Sequence, residues 1–156
     1  MRKKTERLKT PRFGEIAFAP GDLYTFPNGL VGLGALHRFV LLDLDEAGIF
    51  HCLQSVDDPA FALIVIDPLI VRPDYRAKVD DATIATLELT DLADAVVLAA
   101  VVVPEDVTKM TANLRGPIVI NMKARIGVQV VLSNSEFDVR APITDAFSRS
   151  EEELHA

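Results

Sequence analysis

Polar punctuation cuts this chain into short apolar runs, and most of them follow a period of two rather than the 3.6 of a helix. Residues 13–18 alternate up to the turn Pro20-Gly21-Asp22, and residues 23–26 form a second short run. That run enters Pro27-Asn28-Gly29-Leu30-Val31-Gly32-Leu33-Gly34, where closely spaced glycines predict a loop with positive φ or close backbone approach. Strands are predicted over 39–43 and 49–56, with the turn Asp57-Asp58-Pro59 after them. Residues 61–66 are almost continuously apolar, as in a strand buried on both faces. Pro68 and Pro73 predict that no helix forms between them. Asp81 is placed to cap one short helix with Ile84 and Leu87 inward, and a second turn or short helix is expected from Thr90 or Asp91. Residues 95–103 are the best central strand, followed after a polar loop by strands over 118–122 and 128–132.

Strands in series with short connections and no repeated helical crossover predict a mostly β fold. The expectation is a single antiparallel β-barrel-like domain with one or two short helices near residues 81–94. Residues 1–12 read as a disordered basic leader that buries nothing, 13–133 as the barrel domain and 134–156 as a polar tail ending in Glu151-Glu152-Glu153. More than half of residues 13–132 are expected in antiparallel strands.

Composition narrows the picture. A chain of 156 residues suits one domain with a real core. Without Trp, and with few other aromatics, that core must come from Val, Ile, Leu and Ala. Cys52 is the one cysteine, so no intramolecular disulfide forms and nothing points to an oxidising compartment. The leader has the charge of a signal peptide but no apolar stretch follows it. The longest apolar run, 95–103, is about half of what a membrane helix needs. A cytoplasmic protein off the membrane is expected.

Charge is distributed unevenly. Residues 2–12 carry +5, whereas 38–106 hold four basic and fourteen acidic side chains. An acidic surface repels nucleic-acid phosphates and draws basic partners.

The chain offers little catalytic chemistry. His51 neighbours Cys52, but successive strand side chains point to opposite faces, so they form no thiolate–imidazole couple. His37 and His155 stand without ligand partners at metal spacing. Asp57-Asp58 and Asp80-Asp81 are adjacent turn carboxylates that diverge instead of converging on one atom. The glycines match neither a dinucleotide fingerprint nor a phosphate loop. No catalytic residue, metal or cofactor is expected. What stands out is polar residues inside apolar strands: Gln54 and Ser55 before the Asp57 turn, and Asn113 and Asn121 around the Pro117 strand. Each could simply satisfy a turn or a strand end. Two rival readings are a small β-barrel RNA-binding protein that uses the basic leader, and a hydrolase with Asp57, Asp58 and Asp67 around a divalent cation.

Three ordered blocks resemble the bacterial flagellar assembly factor family FliW. They are Phe26-Pro27-Asn28-Gly29-Leu30-Val31-Gly32-Leu33 with Arg38-Phe39-Val40-Leu41-Leu42; Leu53-Gln54-Ser55-Val56-Asp57-Asp58-Pro59 running to Val65-Ile66-Asp67-Pro68; and Thr111-Ala112-Asn113-Leu114-Arg115-Gly116-Pro117 through Asn121, then 127–132. The chain departs from the family at Val31, usually proline, at Leu33, usually aromatic, and at Met122 and Ala124. The resemblance implies a non-enzymatic cytoplasmic protein that binds flagellin and antagonises the translational repressor CsrA, relieving repression of flagellin translation. It also implies no direct nucleic-acid or membrane contact, and a monomer when free. The residues it nominates for partner binding are Phe26, Asn28, Leu30, Leu33, Gln54, Ser55, Asp57, Asp58, Asp67, Asn113 and Asn121. The acidic turn of Asp57 and Asp58 is expected to meet CsrA, and the apolar loop of 26–33 to meet flagellin.

Overall fold

The computed structural model of the chain describes residues 5–133 and 136–143. It opens with a hairpin of β1 (Glu6–Thr10) and β2 (Gly14–Phe18). Then come β3 (Leu23–Thr25), β4 (Arg38–Asp43), β5 (Phe50–Ser55) and β6 (Ala62–Ile66), followed by the short helices α1 (Pro68–Val71) and α2 (Asp81–Thr86). The chain continues with β7 (Ala95–Val102), β8 (Thr111–Asn121), β9 (Ile126–Gln129) and β10 (Ala141–Pro142). Strands β3 to β9 close a barrel in the order β8-β7-β6-β5-β4-β3-β9, with β9 pairing back onto β8. Neighbours are antiparallel except at the closing seam, where Thr25 pairs Ile126 in parallel. Closure removes most of the exposed sheet edge that an open meander would leave.

The period-two pattern sorts side chains between two cores. Tyr24, Phe26, Leu30, Phe39, Leu53, Val65, Leu98, Ile118 and Ile120 fill the barrel. The intervening residues of β6 to β8, among them Ile66, Ala99, Val101 and Ala112, pack outside it against Val71, Tyr75, Ala141 and Ile143. This second core is why residues 62–66 lack polar positions: both faces of β6 are covered. Inside, Phe26 meets Phe39 edge-on at 5.1 Å between ring centroids. Gly127 makes room for it, because a Cβ there would lie 2.3 Å from Phe26 Cζ.

β8 joins the two cores. Its start, Thr111–Asn113, pairs with Val102–Ala100, and its end, Ile118–Asn121, pairs with Leu98–Ala95. Residues 114–117 therefore oppose Ala99 alone, in an irregularity that bends the strand.

Several expectations are corrected. Residues 6–10 are not a disordered arm: every one of them is in register with β2, from Glu6 opposite Phe18 to Thr10 opposite Gly14. Charge density hid the alternation, since Leu8 and Thr10 turn inward while Arg7 and Lys9 face water. Thr10 is buried, and its hydroxyl donates to the Gly14 carbonyl and accepts from the Phe13 N–H, each at 2.9 Å. A helical turn does form between the prolines. Pro68 occupies its first position, where a missing N–H costs nothing, and Asp67 caps it through Leu69 N–H at 2.9 Å. The cap of α2 is Asp80 rather than Asp81; Leu87 is buried behind it, and Ile84 half-buried. The predicted second turn is present, capped by Asp91. Strands take fewer than half of residues 13–132, and β8 begins seven residues before the predicted 118.

The polar tail does not begin at 134 as a unit apart from the domain. Ala141 and Ile143 are buried in the second core, and β10 pairs with the start of β8. The remainder of that predicted tail, residues 134–135 and 144–156 with Glu151-Glu152-Glu153 and His155, lies outside the described residues, as do residues 1–4 of the leader.

Candidate functional site

Between β3 and β4 the chain forms the glycine-rich loop, and two distant parts of the fold fix its shape. Gly29 has φ +64, and a Cβ there would fall 2.6 Å from the Leu33 carbonyl oxygen, so only glycine fits. Leu30 and Leu33 close a tight bend, with Leu33 N–H donating to the Leu30 carbonyl at 2.8 Å. Leu30 itself is buried in the barrel core.

Asp57 pins the end of the loop. Its Oδ2 accepts from the backbone N–H groups of His37 and Arg38 at 2.8 and 2.9 Å, and its Oδ1 accepts from Arg38 Nε at 2.9 Å. Partial burial works against the charge on this carboxyl, yet these hydrogen bonds and the Arg38 guanidinium outweigh it and hold its pKa below the usual value. Gln129 pins the middle. Its Oε1 accepts from Val31 N–H at 2.8 Å while its Nε2 donates to the Gly116 carbonyl at 3.0 Å. Asn113 shapes that part of β8, with Oδ1 accepting from the N–H groups of Arg115 and Gly116, both at 3.0 Å. Held this way, the loop turns Val31 (60% exposed) and Leu33 (37% exposed) outward.

The other nominated residues are largely structural. Phe26, Gln54, Ser55 and Asn121 are buried, like Leu30, and so support the surface without forming it. Gln54 Nε2 donates to the carbonyls of Ser55, Pro59 and Phe61, and Ser55 Oγ accepts from Asp58 N–H, which together build the Asp57 turn. Asn121 Nδ2 donates to the carbonyls of Leu87 and Glu88, while its Oδ1 accepts from Lys123 and Ala124 N–H. Asn28, Asp58 and Asp67 are exposed, with Asp58 also accepting from Ala60 N–H. Asp57 is exposed as well, with both carboxylate oxygens engaged by His37 and Arg38 of the same molecule. Asp67 sits apart from this loop, at the start of α1.

The residues that matter most here and were not nominated are Gln129 and Val31. Gln129 carried a signal, as the one polar side chain in the run Val128-Gln129-Val130-Val131.

The chemistry suggested by adjacency does not assemble. Cys52 is fully buried, and burial pushes its thiol pKa up against the opposing charge of Arg12. His51 faces the other way, half-exposed, with Nδ1 2.8 Å from Asp43 Oδ1. Among the described residues, no three His, Cys, Asp or Glu side chains converge to hold a metal ion, Asp57, Asp58 and Asp67 included. No helix of the described residues is long and apolar enough to cross a membrane.

Comparison with known proteins agrees with this geometry. The family model described as FliW protein matches residues 6–143. The flagellar assembly factor FliW of Thermoanaerobacter pseudethanolicus is 36% identical over 140 residues, covering 89% of this chain and 93% of that protein. The flagellar assembly factor FliW of Bdellovibrio bacteriovorus is 39% identical over 136 residues, covering 87% of this chain and 78% of its own. A crystal structure of the flagellar assembly factor FliW superposes with a TM-score of 0.84 at 33% identity, covering 88% of this chain and 96% of the other. Strand order, the pinned loop and these matches across most of the length lead to one conclusion: the chain belongs to the FliW family of flagellar assembly factors.

Proposed function

We propose that this flagellar assembly factor works in the cytoplasm as a binding protein without catalytic activity. It holds flagellin in one complex and the translational repressor CsrA in another, and the two antagonise each other. When flagellin is exported, the freed factor engages CsrA and relieves repression of flagellin translation.

The observation that carries this reading is the glycine-rich loop. Polar side chains from the β5–β6 turn and from β9 are spent on holding it rigid, and the rigid loop displays Val31 and Leu33 to solvent. Apolar side chains fixed on a preorganised loop lose little entropy on binding, which is what a docking surface needs. This loop is the flagellin contact. The acidic stretch 38–106, with Asp58 exposed at the neighbouring turn, suits a basic partner such as an RNA-binding repressor.

Paired titrations test it. Val31→Asp with Leu33→Asp should weaken flagellin binding at least tenfold, since each buried apolar side chain contributes about 1.5–3 kcal/mol. Saturating flagellin should lower the apparent affinity for CsrA, and CsrA that for flagellin by the same factor. Unchanged CsrA affinity in saturating flagellin overturns the switch, and unchanged flagellin affinity in the double variant overturns the loop as its contact.

A further inference from the structure

A second surface lies away from the loop, where the barrel wall is incomplete. β6 pairs with β7 only through Val65–Ala100 and Ile66–Ala99. Beyond Ile66 the chain leaves the sheet, because Pro68 has no N–H for the ladder and begins α1. The first half of β7, from Ala95 to Leu98, therefore pairs with β8 on one side alone.

The hydrogen-bond pattern shows which groups face the open side. Met122 N–H donates to the Asp94 carbonyl at 2.9 Å, so Asp94 points at β8. Antiparallel alternation then sends Val96 and Leu98 the same way, and turns Ala95 and Val97 to the opposite edge. The Ala95 N–H is taken by Leu92. The Ala95 carbonyl and both backbone groups of Val97 remain, with no backbone partner among the described residues. They face a cleft of about 530 Å³ lined by Asp67, Leu69, Ile70, Ala77, Val96 and others. α1 flanks the cleft without pairing, since its own N–H groups at Ile70 and Arg72 bond within the turn.

We infer that this cleft takes an extended peptide segment of a partner protein, added as a strand beside Ala95–Leu98. The free edge supplies two or three main-chain hydrogen bonds, and a four-residue edge spans about 13 Å at strand rise. Leu69, 51% exposed, and Val96, 36% exposed, offer apolar contact to alternate side chains. Charge specifies the flanks of the segment. Asp67 lines the cleft, His51 on its wall is tied to the exposed Asp43, Asp94 immediately precedes Ala95, and no Lys or Arg lines it. The segment therefore alternates small apolar residues and carries Lys or Arg at its ends. The inference goes beyond the proposed function and stands on the cleft alone.

The probe is a fluorescent synthetic octapeptide with valine and threonine alternating between terminal lysines, titrated against the full chain. Anisotropy should report saturable binding below 1 mM, with the amide resonance of Val97 shifted and protected from exchange. N-methylating the central residues removes donors without touching the protein, and should weaken binding at least tenfold. Glutamate in place of the terminal lysines should weaken it severalfold, and so should Leu69→Lys, an exposed change that leaves the fold intact. Absence of binding at 1 mM, equal binding of the N-methylated peptide, or an unmoved Val97 amide overturns the inference. None of these results bears on the flagellin titration, so the two readings fail separately.

Discussion

Replacing Asn121 by alanine tests whether the polar residues of the family blocks act as scaffold. The side chain is 3% exposed and makes four hydrogen bonds that tie β8 to the α2 exit and to the turn before β9. The bond to Leu87 is the buried one, at 2.8 Å; those to Glu88, Lys123 and Ala124 lie nearer the surface. Without the amide, the Leu87 carbonyl is left buried and unpaired, at about 1–3 kcal/mol, while the shallower groups can turn to water. With a smaller share from the rest, the variant should lose about 2–4 kcal/mol. For a domain of this size that lowers Tm by about 5–15 °C. Asn121→Asp keeps the acceptors but faces two carbonyls with a carboxylate, so it should cost at least as much. Urea denaturation and calorimetry measure both. A Tm within about 2 °C of the parent protein, together with weakened CsrA or flagellin binding, would refute the scaffold argument and return Asn121 to a contact role.

Deleting residues 2–11 removes β1, with its half-buried Leu8 and buried Thr10, from the hairpin, so stability should fall by about 1–2 kcal/mol. Urea denaturation measures the loss, and a midpoint unchanged from that of the intact chain would show that β1 adds nothing to the fold. Asp57 gives a pH signature. Its folded pKa lies below the unfolded value, so its contribution is fully present above roughly pH 4 and is lost as pH falls through the folded value. Asp57→Asn should therefore lose less stability on acidification than the parent does, measured as the urea midpoint between about pH 5 and pH 2.5. Parallel midpoint curves for the two proteins would exclude that linkage.

The sequence by itself determined most of the strands and, among the described residues, the lack of any long helix, because an alternating apolar pattern has one stable use, a sheet with a buried face. It also determined the turns at Pro20, Asp57 and Asp91, where local side chains set the backbone. It carried the family in the order of its blocks. Three things were decided only by tertiary structure. Residues 6–10 became a strand because β2 was there to pair with them, and a five-residue segment with three charges has no preference strong enough to show alone. The polar residues nominated as contacts became supports because burial depends on what packs over a strand, which period two cannot report: Gln54 and Asn121 are enclosed, while Asn28 is left in water. The loop that displays Val31 was assembled by Asp57 and Gln129, 26 and 98 residues further along the chain. Pairing of β4 with β5 brings Asp57 to the end of the loop, and only barrel closure brings Gln129 within hydrogen-bonding distance of Val31.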